Sequence, residues 1–353
     1  MVTQRKPKPS KYLAVPTRPV SVDRDRSVAG LLEKMEGVGF GGRQLAESHR
    51  IWLDMLGDNT TIICGVSGSL VAAGMRRMLS YVVKNRFLDV LVLSGAVVFQ
   101  DLHETLGRLH YQAHPTMTDE ELETAEVGRA WDVLSSHEEY REAGEWVSGF
   151  ANQLDNTRPY STRELLHLIG RELSEISTED GLLTSAFKSR VPVFCPDISD
   201  SLLMVGIASA RFEKKNSFSF DLAQDVLDMV NIYARARSTS LINIGGGSPR
   251  SFIQQTELAT DIVKQPARGH KYAIQYGNEA PSTGGQANLT VASDAQIYGK
   301  LVRGANTAFV DCDSTISLPI VITSLSQTAL KYMKGRRRPN FNFVGRDLGI
   351  EVQ

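Results

Sequence analysis

Gly245, Gly246 and Gly247 stand in a row between the apolar run Ser240–Ile244 and a helical stretch over Ser251–Thr256. Glycines at a strand-to-helix turn let the backbone approach a phosphate closely, and the next helix offers free N–H groups and a favourable dipole. A plain tight turn uses the same residues, and the GxGxxG dinucleotide fingerprint is absent early in the chain. Gly65-Val66-Ser67-Gly68-Ser69 is a second small-residue turn of this kind. Ser199-Asp200-Ser201 and Asp311-Cys312-Asp313-Ser314 add carboxylates just beyond apolar runs. A carboxylate there suits ribose hydroxyls, although it caps helices more often.

Lys300 closes the segment Asp294-Ala295-Gln296-Ile297-Tyr298-Gly299-Lys300. A lysine forms imines when desolvation or a neighbouring cation keeps its amine neutral, whereas most lysines are solvated surface charges. His103, His110 and His114 form a loose cluster without a paired-histidine helix or paired cysteines, so no metal site is expected. Neither GxSxG nor a P-loop is present.

The elements that must position these residues show in the hydropathy pattern. TTIICGV (60–66), LDVLVLSG (88–95), VPVFCP (191–196), SLINIGGG (240–247), KYAIQYG (271–277) and TAFVDCD (307–313) are brief, rich in branched apolar residues, and end at Gly, Pro or a small polar residue. They predict buried strands. Helical periodicity follows Ser67 through Asn85, covers Glu164–Glu175 with Ser161 and Glu164 at capping-box spacing, covers Asp221–Arg237, and resumes near Phe252. Strand, turn and helix repeated in this order predict an α/β fold: a doubly wound, mostly parallel sheet forming one Rossmann-like domain. Ligands of such sheets bind outside the carboxyl ends of the strands.

The 353 residues, 42% hydrophobic and 22% charged, suffice for a large core and argue against wholesale disorder. No run approaches the length needed to span a bilayer, the basic N-terminus lacks an apolar secretory core, and three cysteines make no disulfide framework. A reducing cytoplasm is therefore the expected location, with no membrane partner. A net charge of −1 excludes a globally basic nucleic-acid binder. That sum hides a pattern. Residues 1–26 carry seven Lys/Arg against two Asp, with four prolines, and predict a basic arm. Residues 119–145 carry ten Asp/Glu against Arg129 and Arg141, which predicts a solvated helical face or an anionic surface that attracts a cation. Arg336-Arg337-Arg338 centres a basic tail. The expected division is a basic extension (1–28), one catalytic domain (29–335) and a basic tail (336–353).

SGSLVAAGMRRMLSYVVKNRFLDVLV (67–92), DLHETLGRLHY (101–111), LLTSAFKSRVPVFCPDISDS (182–201), INIGGGSPRSFIQQTE (242–257), GHKYAIQY (269–276) and YGKL (298–301) together resemble deoxyhypusine synthase, particularly its prokaryotic deoxyhypusine-synthase-like branch. The resemblance runs from about residue 60 to residue 320. It implies NAD as cofactor and spermidine as substrate. Hydride moves from spermidine to NAD, giving an imine that loses diaminopropane. The aminobutyl group then passes as an imine to an enzyme lysine, and on to an acceptor amine, where the same NADH reduces it. The acceptor is a translation-factor lysine in deoxyhypusine synthase and a small diamine such as putrescine in related homospermidine synthases.

By the same resemblance Lys300 falls at the imine-forming lysine. Gly245, Gly246 and Gly247 fall at NAD-contacting glycines, Asp200 and Asp313 at carboxylates that hold the cofactor, and Ser67 at a hydroxyl-rich turn. Tyr298 stands where an aromatic lies against the polyamine, Asp294 where a Glu is usual, and Gln255 where an amide is found. The resemblance further implies a homotetramer with active sites shared between subunits, and an N-terminal arm able to cover the entrance. There are departures. The loop reads Gly284-Gly285-Gln286-Ala287-Asn288 where the family ends in SGA, and Gln100-Asp101 replaces a more charged pair. No carboxylate occurs in Leu202–Val205, and Ser251 stands where eukaryotic members have a histidine. A retained lysine beside an altered polyamine cradle points to changed substrate choice or lost activity.

Overall fold

The computed structural model describes residues 15–22, 27–213, 215–266, 268–278 and 300–352. The six apolar runs become the strands of one sheet: β1 (Thr61–Val66), β2 (Val90–Leu93), β3 (Val193–Phe194), β4 (Thr239–Ile244), β5 (His270–Gly277) and β6 (Leu301–Asp311). Their order is β6-β5-β4-β1-β2-β3, and every neighbouring pair is parallel. The chain steps outward from β1 to β2 and β3, then returns to the other side of β1 and continues through β4, β5 and β6. The switch point therefore lies between β1 and β4, whose ends are level, with Val66 opposite Ile244.

Both faces of the sheet are covered, which is why its strands are apolar throughout rather than alternating. Successive residues of β1 divide between two cores. Ile62, Cys64 and Val66 join the one containing Trp52 and Met55 of helix α1 (Phe40–Gly57), Leu79 of α2 (Arg76–Lys84) and Val321 of the C-terminal helix Ser314–Tyr332. Ile63 points to the other, formed with Met229 of α3 (Leu222–Arg235) and Phe252 and Ile253 of α4 (Gly247–Ile262). The doubly wound parallel α/β architecture is as the sequence predicts.

Several local expectations change. The helix expected to run on from Ser67 is interrupted at Gly74, whose φ of 85° is left-handed, so regular α2 begins only at Arg76. The helix Thr162–Ile176 starts with Ser161 accepting a hydrogen bond from Glu164 N at 3.1 Å. The Glu164 carboxylate turns to Arg158, however, leaving half of the capping box unformed. Strand β6 starts six residues before the apolar run that revealed it, and its register with β5 breaks between the His270–Leu301 and Tyr272–Asn306 pairs.

The C-terminal tail is the main correction. Residues 339–352 form an antiparallel hairpin, β7 (Pro339–Val344) and β8 (Asp347–Val352), turning at Gly345 with φ 53°. Phe341 and Ile350 are buried against the second core. Arg336, expected within a basic tail, is a buried ion-pair partner of Asp89 and donates to Thr60 O at 3.0 Å. Within the acidic segment, Asp119 and Glu126 pair with Arg129 and Arg141 at the surface, as a solvated face would. Glu139 instead turns toward His103, 3.5 Å away. Residues 1–14 and 23–26 of the expected basic arm lie outside the described residues. Among the described residues no helix is long and apolar enough to cross a membrane.

Candidate active site

The switch-point crevice is built from backbone. Ser67, the first residue after β1, donates its N–H to Ile244 O at 3.0 Å, so the two turns that leave β1 and β4 lie side by side. Gly245 has a φ of 77°, and a Cβ there would lie 2.4 Å from Ser67 Oγ. Only glycine fits both constraints. Gly245 is further pinned by its N–H to Tyr276 O at 2.9 Å and by Gln275 Nε2, which donates to Gly245 O at 2.5 Å. Gly246 and Gly247 then open α4, whose first N–H groups face the crevice mouth with no side-chain cap. Beneath the turn, Asn243 is 1% exposed, and its side-chain oxygen and nitrogen have no hydrogen-bond partner among the described residues.

Asp197 joins this turn to the neighbouring one. Its carboxylate accepts from Gly95 N, at the start of the helix Gly95–Thr105, at 3.0 Å, and from Ser248 Oγ in the first turn of α4. Cys195 Sγ lies 3.6 Å away, its thiol pushed well above its usual range by burial. Gly95 leaves no room for a side chain, since a Cβ would approach Asp200 O to 2.5 Å. Asp200 is thereby held at the mouth, with its carboxylate exposed. Asp313 is also exposed and caps the helix Ser314–Tyr332, accepting from Thr315 N and Oγ1 at 2.7 Å each. That is the commoner use of such a carboxylate.

Ser67, Gly245, Gly246, Gly247, Asp200 and Asp313 thus all lie at the carboxyl edge of the sheet. Lys300 does not. Its carbonyl accepts from His270 N at 2.8 Å, which fixes it at the amino edge, beside the start of β5. The six steps along β5 from His270 to Tyr276, at about 3.3 Å each, separate the two edges by about 20 Å, well beyond a lysine's reach. Lys300 is half-buried there, close enough to Glu257 of α4 for its ammonium to act on that carboxylate. Burial raises Glu257 to about 7, with Lys300 opposing the rise and Asp261 adding to it. Gln255, on the same helix, is exposed. Tyr298 and Asp294 lie outside the described residues.

The deoxyhypusine synthase family model matches residues 30–325. The chain is 38% identical to probable deoxyhypusine synthase 2 of Methanosarcina mazei over 345 residues, which is 97% of each chain. It is 34% identical to probable deoxyhypusine synthase 2 of Archaeoglobus fulgidus, across 82% of this chain and 95% of the relative. The chain belongs to the deoxyhypusine synthase family. It is a transferase of the deoxyhypusine synthase type, a family of aminobutyl-transferring enzymes. The crystal structure of a candidate deoxyhypusine synthase of Entamoeba histolytica shares the fold, with a TM-score of 0.56 at 15% identity over 88% of this chain and 97% of that one.

Placed in this deoxyhypusine synthase fold, the residues that sequence reasoning passed over are Asn243, Gln275, Asp197 and Glu257. The first two sit inside apolar strands, where a lone amide among branched residues was the available signal. Nothing in the linear sequence joins Asp197 to Ser248 or Glu257 to Lys300. His103 and His110 come together, with ring centroids 5.0 Å apart, but they are packing elements. His110 Nδ1 meets Glu104 at 2.8 Å, and burial holds His103 down at about 4. Asp101 accepts from Leu182 N and Leu183 N at 2.7 and 2.9 Å, which makes it a buried helix anchor.

Proposed function

We propose that this protein transfers the aminobutyl group of spermidine, through an imine on Lys300, to an acceptor amine, using NAD held in the β1/β4 crevice. The observation that carries this reading is the Gly245–Ser67 contact at the switch point, in a chain of the deoxyhypusine synthase family. The crevice fits a dinucleotide in three respects. Gly245 leaves the space that a Cβ would fill, the first N–H groups of α4 are uncapped, and the buried Asn243 amide has unused polar atoms beside the turn. Gly245, Gly246, Gly247 and Ser67 would line the cofactor, with Asp200 and Asp313 at the mouth. NAD bound there would take up a hydride and later return it.

The rest falls to the chain's own side chains. Lys300 is the nucleophile, and the acidic mouth favours a cationic amine. Because Lys300 lies an entire sheet length from its own crevice, this reading includes a homo-oligomer, a tetramer by family resemblance, in which a second copy brings its Lys300 to the first copy's crevice. Gln255, with Leu258 and Ile262 at 64% and 69% exposure, gives α4 an outward face suited to such a contact. Tyr298, Asp294 and Gln255 are the proposed polyamine contacts.

A translation-factor lysine is the acceptor of the first reading. A second reading, transfer to a small diamine, draws on a cleft of about 570 Å³ lined in part by Tyr140, Glu145, Leu202 and Val205, just beyond Asp200. Glu145 is its one carboxylate, set among apolar groups but beside Arg141 and His137, and is the group that would hold a short amine. Incubation with NAD and labelled spermidine, borohydride trapping and mass spectrometry will place label on Lys300. Absence of that adduct, where a known family member labels, rejects both readings in favour of an inactive homologue. Homospermidine formed on adding putrescine selects the second reading.

A further inference from the structure

Glu257 has no place in the reaction as proposed so far, yet its surroundings are unusual for a helical glutamate. It sits nearly three turns into α4, four residues after buried Ile253 and one after buried Thr256. Oε2 is buried and has no hydrogen-bond partner among the described residues. The charged and titratable groups around it come from three elements: Lys300 at the start of β6, Asp261 one helical turn further along α4, and Tyr233 of α3. Tyr233 is already committed, since its hydroxyl donates to Arg268 O and its ring packs edge-on to His270 at 5.5 Å. Lys300 is the one cation among them. A carboxylate normally well ionised at neutral pH is here held at about 7 by burial, so both of its protonation states are populated where the protein works.

We infer that Glu257 is the proton shuttle for imine exchange at Lys300. This rests on the reading of Lys300 as the imine-forming residue. In the exchange, the Lys300 ammonium first gives a proton to the imine nitrogen of the oxidised polyamine, its freed Nζ lone pair attacks the iminium carbon, and a new C–N bond gives a carbon bearing two nitrogens. The attacking nitrogen then carries a proton too many, and the departing diamine nitrogen lacks the one it needs to leave. Glu257 takes the first proton as a carboxylate and delivers it as a carboxylic acid to the second nitrogen, whose bond to carbon breaks. Nothing is oxidised or reduced in this step, and the net proton change is zero. The same shuttle run in reverse serves transfer from Lys300 to the acceptor amine.

The test compares wild type with Glu257→Gln, which keeps shape and removes the titrating group. Hydride uptake from spermidine is read as NADH absorbance, and the Lys300 adduct as borohydride-trapped mass, in single-turnover reactions from pH 5.5 to 8.5. The expected result is unchanged NADH formation, with adduct formation slowed at least tenfold in the variant. The wild type shows a limb in adduct rate near pH 7 that the variant lacks. Equal adduct rates and matching pH profiles in a labelled wild type and variant overturn the shuttle while leaving the Lys300 reading intact. A wild type that forms NADH but never labels Lys300 overturns the Lys300 reading, and the shuttle with it. If Glu257→Gln does not fold, the wild-type profile decides: a flat adduct rate between pH 6 and 8 is the overturning outcome.

Discussion

Lys300 and Gly245 stand at opposite edges of the same parallel sheet, about 20 Å apart along the strands. Sequence proximity to neighbouring motifs conceals this, because β6 re-enters the sheet at its amino end after the segment that follows β5. On the reading proposed above, a reaction using both residues draws them from two copies of the chain.

That relationship makes a mixing experiment informative. Lys300→Arg and Gly245→Ala are each expected to abolish transfer, one through the nucleophile and the other through the crevice. Unfolded together and refolded as mixed oligomers, they should recover about a quarter of wild-type activity, the share of sites that pair an intact crevice with an intact lysine. No recovery in demonstrably mixed oligomers would place both functions within one chain.

The glycine turn predicts unequal costs within a single motif. Gly245 and Gly247 both have left-handed φ, 77° and 62°, so alanine at either costs roughly 1–2 kcal/mol in backbone strain. Only at Gly245 does the added Cβ collide, with Ser67 Oγ; at Gly247 it meets nothing closer than Pro249 Cδ at 4.0 Å. Gly245→Ala should lower the melting temperature more than Gly247→Ala and weaken NAD binding by calorimetry at least tenfold.

The triple arginine should divide by burial. Arg336 is fully enclosed with Asp89, whose carboxylate also accepts from Ile62 N at 2.9 Å and Arg86 at 3.2 Å. Arg336→Ala strips a buried carboxylate of one of its cations and should cost about 3–5 kcal/mol in chemical denaturation. Arg337 is exposed, with its backbone N–H on Asn59, so Arg337→Ala should change stability by less than about 0.5 kcal/mol.

Acid should destabilise the fold before any carboxylate reaches its ordinary titration range. Burial holds His49, His103, His167 and His270 near 4 in the native state, against 6.5 when unfolded. Between those values the unfolded chain binds more protons, so stability falls as pH drops from 6.5 toward 4. Asp225 and Glu257, raised by burial to about 6 and about 7, act in the opposite sense, because the native state holds their protons. Asp101 and Asp228, also raised by burial, oppose the histidines in the same way, so the net loss on acidification is at most about 1.4 kcal/mol per pH unit for each net proton. Urea midpoints measured from pH 7 down to pH 4.5 should fall monotonically; a rise would contradict the buried neutral histidines.

The six strands, their parallel arrangement and the turns at Ser67 and Gly245 were legible because each depends on local pattern: a short branched apolar run and the residue that ends it. The interrupted helix at Gly74 was harder, since isolated glycines are tolerated in helices and only the left-handed φ distinguishes this one. The terminal hairpin was obscured by its charge. Arg336 looks solvated until the chain folds over Asp89, and Phe341 and Ile350 alternate over too few residues to outweigh three arginines.

For the candidate site, residue type at the end of a strand was enough to nominate Ser67, Gly245 and Asp200, whereas Lys300 owed its place to the resemblance, which grouped them into one chemistry. Their actual neighbours are decided by packing between distant segments. Asp197 meets Ser248 across 51 positions, and Glu257 meets Lys300 because α4 runs back to the edge where β6 begins. The sequence by itself determined the elements and the reactive groups, which are set by local sterics and hydropathy. Only the tertiary structure decided which groups share an edge of the sheet, because long-range strand order has no local signature.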